Sequence, residues 1–83
     1  MKNKIEFFCW ENEGPTSITL EPEGMVFEVR FEYTLSFVSM SEDSEFKWAI
    51  RSLQDSKSII LYPESSMSFS IQVYENEKLV FET

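Results

Sequence analysis

The sequence predicts an all-β domain, a small antiparallel β-sandwich or flattened barrel of about seven or eight short strands. Three observations predict it. Apolar and polar residues alternate along several segments, turn-forming residues separate those segments, and helical spacing of apolar residues never persists beyond two turns. Because 83 residues suffice for one hydrophobic core, we expect a single domain over residues 1–83.

Turn chemistry delimits the first strands. Strands are predicted over 4–10 and 17–20, with a turn over 12–15 between them. Residues 21–24 follow, with the sequence Glu-Pro-Glu-Gly. They predict a β-turn, because proline presets its own φ and Gly24 can adopt a positive φ.

Residues 25–40 contain no clear turn signal and alternate over 25–37, a run far longer than the usual strand of about five or six residues. We favour a turn or bulge near residues 30–32, and a single long bent strand is the alternative. The apolar face of this segment consists of Met25, Phe27, Val29, Phe31, Tyr33, Leu35 and Phe37.

The second half of the chain repeats the alternating pattern. Polar loops are predicted over 41–45, 54–57 and 63–66. Strands are predicted over 46–50, 58–62, 67–74 and 78–82. Asn76 tolerates the left-handed region, so it closes a hairpin between the last two strands.

One segment of this half fits a second interpretation. A short helix over 45–53 is the alternative to a strand, and it would make the fold class α+β. The residues with helical spacing in this segment are Phe46, Ala49, Ile50 and Leu53.

The chain is strongly acidic, with a formal net charge of −8 from 15 acidic and seven basic residues. A nucleic-acid-binding protein needs a basic stripe that neutralises phosphates, so we expect no direct contact with nucleic acid. We expect no membrane contact either, because an anionic surface repels the chain and no apolar segment approaches the roughly 20 residues of a span. The acidity serves solubility alone or attracts a basic protein partner.

Cysteine usage and the first residues favour a cytoplasmic protein. Cys9 is the only cysteine, so no disulfide forms within the chain, and a free thiol on a small unstapled domain fits a reducing compartment. The positive charges near Met1 are followed by Glu6, so the apolar region of a secretion signal is missing.

The composition argues against catalysis and against a metal or cofactor site. The sequence contains no histidine, the usual general base and the commonest metal ligand, and only two glycines, too few for a phosphate-cradling loop. Aromatic neighbours predict a buried, inert Cys9 thiol. Glu42, Asp43 and Glu45 lack the aspartate-rich loop of a calcium site. Trp10 and Trp48 are expected in the core rather than on a sugar-stacking platform.

Loop positions gather carboxylates at one end of the predicted fold. Alternate connections of an up-and-down arrangement lie at the same end, so loops 41–45 and 63–66 share one. If the chain turns near residues 30–32, the turn over 21–24 joins them, and otherwise Glu11 and Glu13 do. The protein-binding residues predicted at this end are Glu21, Glu23, Glu42, Asp43, Glu45 and Glu64, with Phe46 and Tyr62 as aromatic anchors.

Residues 11–24, ENEGPTSITLEPEG, followed by Phe27-Glu-Val, resemble a segment of small uncharacterised bacterial β-proteins. In those proteins an Asn-x-x-Pro strand entry leads to a Leu-Glu-Pro-x-Gly turn, and the resemblance implies a β fold without an assigned activity. The chain departs from them in having Arg-Phe-Glu at 30–32 where they often show Pro-Gly-Glu. In size, acidity and lack of catalytic groups it resembles, by type only, the immunity proteins of bacterial toxin systems.

We therefore predict a non-catalytic, cytoplasmic binding protein, an immunity or antitoxin-type inhibitor that occludes a basic toxin such as a nuclease. One alternative is an inhibitor that mimics nucleic acid and blocks a DNA- or RNA-binding enzyme. Another is a carbohydrate-binding module, which an exposed Trp10/Trp48 pair would support. Pairing of two copies through an exposed edge strand, which would form a homo-oligomer, is also compatible with the sequence.

Overall fold

The computed structural model describes residues 2–9, 16–30, 32–52 and 58–83. These residues form eight strands in two four-stranded sheets, which confirms the predicted all-β sandwich. The strands are β1 (Lys2–Phe7), β2 (Thr16–Leu20), β3 (Met25–Val29), β4 (Leu35–Ser41), β5 (Lys47–Ser52), β6 (Ser58–Glu64), β7 (Phe69–Glu75) and β8 (Lys78–Glu82).

Strand order shows that the chain passes repeatedly between the two sheets. Sheet I has the order β1-β4-β7-β8, and sheet II has the order β3-β2-β6-β5. Neighbouring strands are antiparallel except β2 and β6, which run parallel. The up-and-down hairpin order assumed from the sequence is therefore corrected. A parallel pair requires a crossover, and here β3, β4 and β5 lie between its two members in the sequence.

The long alternating segment contains two strands in different sheets. β3 ends at Val29 and β4 begins at Leu35. Between them the Tyr33 amide donates to the carbonyl of Arg30 at 3.0 Å, and Glu32 has a φ of 74°. The predicted turn near residues 30–32 is confirmed, although Phe31 itself lies outside the described residues.

The alternative helix over 45–53 is wrong for residues 47–52, which form β5. The register of β5 on β6 places Ala49 opposite Tyr62 and Ile50 opposite Leu61. Cross-strand pairing thus decides between two spacings that the local sequence satisfies equally well. Leu53 lies outside the described residues.

The core lies between the facing sheets and is centred on Phe37. Its ring meets the rings of Phe7, Phe27 and Trp48 edge-on, at centroid distances of 5.9, 5.5 and 6.4 Å. These partners come from both sheets, so one side chain bridges the sandwich. The buried core cluster comprises Ile18, Leu20, Val29, Leu35, Phe37, Leu61, Ile71 and Val73.

Turn predictions agree with the backbone at two positions and fail at a third. Gly24 has a φ of +74° and Asn76 a φ of 51°, as expected of each. The predicted loop 63–66 is wrong in its bounds, because Pro63 and Glu64 pair with β5 as the last residues of β6. The predicted turns over 12–15 and 54–57 lie outside the described residues.

Replacement of Gly24 by Ala should destabilise the protein by about 1 kcal/mol, through backbone strain alone. A Cβ at this position would meet only a Glu21 carboxylate oxygen at 3.9 Å, so no clash adds to the strain of the positive φ. Urea unfolding measures the loss, with Glu23→Ala in the same turn as the control. Equal midpoints for the two variants would show that the turn does not require glycine.

Candidate functional site

Three connections meet at one end of the sandwich. β2 and β6 are parallel, so the turn over 21–24, which joins β2 to β3, and the connection over 65–68 lie at the same end of sheet II. β5 is antiparallel to β6, so the connection over 42–46 enters at that end as well. The predicted grouping of loops therefore holds despite the crossover topology. We call the carboxylates carried there the acidic end: Glu21, Glu23, Glu42, Glu45 and Glu64.

Asp43 joins two of these connections. One carboxylate oxygen, Oδ2, accepts from the Ser65 hydroxyl at 2.8 Å and from the Ser66 amide at 2.9 Å. Oδ1 accepts from the Glu45 amide at 2.8 Å, and the Asp43 amide donates to Ser41 Oγ at 3.0 Å. We call this arrangement the Asp43 clasp. It fixes the backbone that presents Glu45 and lies beside Glu64.

The clasp holds Asp43 in its ionised form. The Glu45 amide, the Ser65 hydroxyl and the Ser66 amide each lower the pKa of this carboxyl below its ordinary value, and they outweigh the opposing effect of burial. Because the pKa is lower in the folded protein than in the unfolded chain, the ionised carboxylate stabilises the fold.

Asp43 is buried and hydrogen-bonded within its own protein, unlike the exposed Glu42 and Glu45 beside it. The sequence placed it among the residues that touch a partner, but only 6% of its surface is exposed. Its oxygens are occupied by donors from its own protein. Its partners Ser65 and Ser66 could not be inferred from the sequence, because they lie 22 and 23 residues further along the chain and no local pattern pairs them with an aspartate.

Asp43→Ala should lower the melting temperature more than Glu42→Ala, which removes the same charge from an exposed neighbour. The difference should be full at pH 6–7, where the native carboxylate is ionised, and should shrink as the pH falls below about 4 through the lowered pKa. Thermal unfolding by circular dichroism at several pH values measures it. A difference that stays constant down to pH 2 would contradict a role for the charge.

Two lysines partly neutralise the negative charge of the acidic end. Lys47 Nζ lies 3.5 Å from Glu64 Oε1, and both side chains are at least half exposed, so solvent screens this pair strongly. Lys2 also reaches this end, because β1 starts there opposite Met40. Carboxylates still outnumber cations among the described residues at this end.

The two predicted aromatic anchors differ. Phe46 is only 8% exposed, and its ring packs against Trp48 at 5.3 Å and Phe69 at 5.7 Å, so it supports the core and is corrected as a partner contact. Tyr62 is half-buried on the outer face of β6, where it lies opposite the small Ala49. It shares this face with Glu64 two residues further on, so an aromatic surface adjoins the acidic end.

A shallow concavity of about 320 Å³ opens between the connections of the acidic end. Its polar lining includes a cation as well as carboxylates and hydroxyls. It suits a polar side chain of a partner rather than an enclosed ligand. The lining residues are Asp43, Glu45, Lys47, Glu64, Ser65 and Ser66.

The structure also shows the surroundings of Trp48 and Cys9, which were considered from the sequence. Trp48 is half-buried and packs edge-on against Phe37, so it does not form a flat sugar-stacking surface. Trp10 lies outside the described residues. Cys9 is half-buried rather than fully buried, with its Sγ 3.9 Å from the carbonyl oxygen of Val29.

Comparison with family models, curated proteins and solved structures finds no match. In the described part of the chain, no group of three or more carboxylate or thiol side chains is arranged to hold a metal ion. The same part contains no helix of the length and apolarity that crossing a membrane demands.

Proposed function

We propose that this protein is a non-catalytic inhibitor of the immunity or antitoxin type, which occludes a basic surface of a toxin or nuclease with its acidic end. The observation that supports the proposal is that the carboxylates of the acidic end lie at one end of the sandwich, where the Asp43 clasp joins two of the three connections. Tyr62 on the adjoining face supplies an aromatic contact of the kind that dominates binding energies.

The mechanism follows from charge and rigidity. Lysines and arginines that bind phosphate in a nuclease would meet carboxylates instead, so nucleic acid is excluded while the complex lasts. A clasped backbone loses little conformational freedom on binding, because its hydrogen bonds already hold the connections in place.

Mimicry of nucleic acid is less well supported. It requires carboxylates spaced along a surface like phosphates on a strand, whereas the exposed carboxylates of the acidic end are grouped where three connections meet. Local occlusion of a basic site fits this grouping better.

Affinity capture from the native host tests the proposal. The wild-type protein and the variant Glu42→Lys/Glu45→Lys/Glu64→Lys serve as baits, and Glu28→Lys/Glu32→Lys/Glu75→Lys is the matched control with the same change of charge at the opposite end. We expect a basic partner that the wild type and the control retain and the first variant loses.

The captured protein must also be inhibited. Addition of the wild-type protein in equimolar amount should abolish the toxic or nuclease activity of the partner. Retention of the partner by all three baits, or a captured partner that stays fully active, would refute occlusion by the acidic end.

A further inference from the structure

A groove runs along the outer face of sheet I, above the inner strand β4. Ser36 and Val38 form its floor. They are only 9% and 4% exposed, although their side chains point away from the sandwich core. The flanking strands β1 and β7 lie roughly 10 Å apart, which leaves room for one extended chain. Two adjoining concavities of about 340 and 290 Å³ share Lys4, Ser36 and Glu77.

Side-chain contacts occur on both walls of this groove. On β1, Lys4 Nζ pairs with Glu6 Oε1 at 2.6 Å. On the opposite wall, the Tyr74 hydroxyl donates to Gln72 Oε1 at 3.1 Å, and Gln72 Nε2 donates to Glu82 Oε2 at 2.8 Å. The contacts along β7 restrain the side chains of that wall before any ligand arrives, which reduces the entropy lost on binding.

Asn76 closes one end of the groove. Its side-chain oxygen accepts from the Thr34 amide at 2.8 Å, and its side-chain nitrogen donates to the carbonyl of Glu32 at 3.3 Å. Its backbone amide also donates to the carbonyl of Thr34 at 2.9 Å. This end is a fixed stop, whereas the other end opens beside Lys2.

Three polar groups along the groove have no partner among the described residues. The Ser36 hydroxyl forms no side-chain hydrogen bond there, although the residue is nine-tenths buried and lines both concavities. Lys2 at the open end and Glu77 at the closed end form no ion pair with any described residue. The groove thus has a hydroxyl at its floor, an unpaired cation at one end and an unpaired anion at the other.

We propose that this groove binds a short extended peptide whose two ends carry opposite charges. An acidic side chain of the peptide lies at Lys2 and a basic one lies at Glu77. The Ser36 hydroxyl hydrogen-bonds the peptide backbone between them. An extended chain rises about 3.3 Å per residue. The long side chains of Lys2 and Glu77 reduce the distance that the peptide has to cover between them. The two charged residues of the peptide are therefore four positions apart and on one face. Lys2 lies where the groove opens toward the acidic end, but the rest of the groove is on the outer face of sheet I, and the proposal does not depend on the function of the acidic end.

Titration of the ¹⁵N-labelled protein with three peptides, followed by NMR, tests the proposal. The probe is acetyl-Asp-Thr-Ser-Thr-Lys-amide, and two like-charged peptides carry Asp or Lys at both ends. We expect the probe to shift the amide signals of Ser36, Val38 and Tyr74 and to bind roughly fivefold more tightly than either like-charged peptide, as one exposed ion pair allows. Absence of shifts at millimolar peptide, equal binding of all three, or shifts centred on sheet II would overturn it.

Single-residue variants test the charge at the ends of the groove and the shape of its floor separately. Lys2→Glu makes both ends anionic, so the peptide with two lysines should bind more tightly than the probe. Arg51→Glu on β5 of sheet II changes the charge equally and should leave the original ranking unchanged. Ser36→Leu fills the floor and should abolish the shifts while the spectrum stays dispersed. If that variant does not fold, the ranking in Lys2→Glu decides, and an unchanged ranking there refutes the proposal.

Discussion

Truncation of Phe37 to Ala should lower the free energy of unfolding by about 3–5 kcal/mol, the largest loss expected from any single substitution considered in this protein. Phe37 is fully buried, and its ring meets Phe7 from its own sheet and Phe27 and Trp48 from the facing sheet. Removal of the ring leaves a cavity at the point where the sheets meet. A domain of this size is stable by only about 4–12 kcal/mol, so the variant should be partly unfolded at 37 °C.

Urea denaturation followed by tryptophan fluorescence measures this loss. Leu79→Ala is the control, because Leu79 is 45% exposed on the outer side of the sandwich and its truncation should cost about 1 kcal/mol or less. Similar losses for the two variants would mean that the sandwich does not depend on packing around Phe37.

Reversal of charge at Glu42, Glu45 and Glu64 should slow association with a basic partner by about 10- to 100-fold at low salt. These side chains are exposed and lie around the Asp43 clasp, so they act on an approaching partner before contact is made. The dissociation rate should change less, because exposed charges at the rim of an interface act mainly on encounter.

Stopped-flow association with the captured partner, repeated over a range of salt concentrations, measures this effect. The wild-type rate should fall as salt rises, and the rate of the reversed variant should be insensitive to salt or increase with it. The control with Glu28, Glu32 and Glu75 changed to Lys should keep most of the wild-type salt dependence. Identical salt curves for the two variants would show that net charge, and not its position, sets the rate.

The sequence predicted most of the fold because alternation and turn chemistry are local signals. The turn near residues 30–32 could be inferred from length alone, since one strand seldom spans 25–40. The parallel pairing of β2 with β6 could not be inferred. It joins segments about forty residues apart, and no residue in either segment specifies its neighbour in the sheet.

The grouping of the three connections was predicted from the sequence, but the surroundings of individual residues were not. Strand direction alternates along the chain, so the grouping of three connections survives the crossovers. The role of Asp43 was missed because charge type does not reveal whether a carboxylate faces solvent or the serines of another connection. The burial of Phe46 was missed because an aromatic residue at a strand entrance fits a core and an interface equally well.

The Asp43 clasp also affects how the sandwich unfolds locally. The connection over 42–46 carries the chain from sheet I to sheet II, and the connection over 65–68 carries it back. One carboxylate therefore ties together both passages between the layers at this edge. The two sheets cannot separate here unless both connections open together. Local unfolding at this end is therefore cooperative.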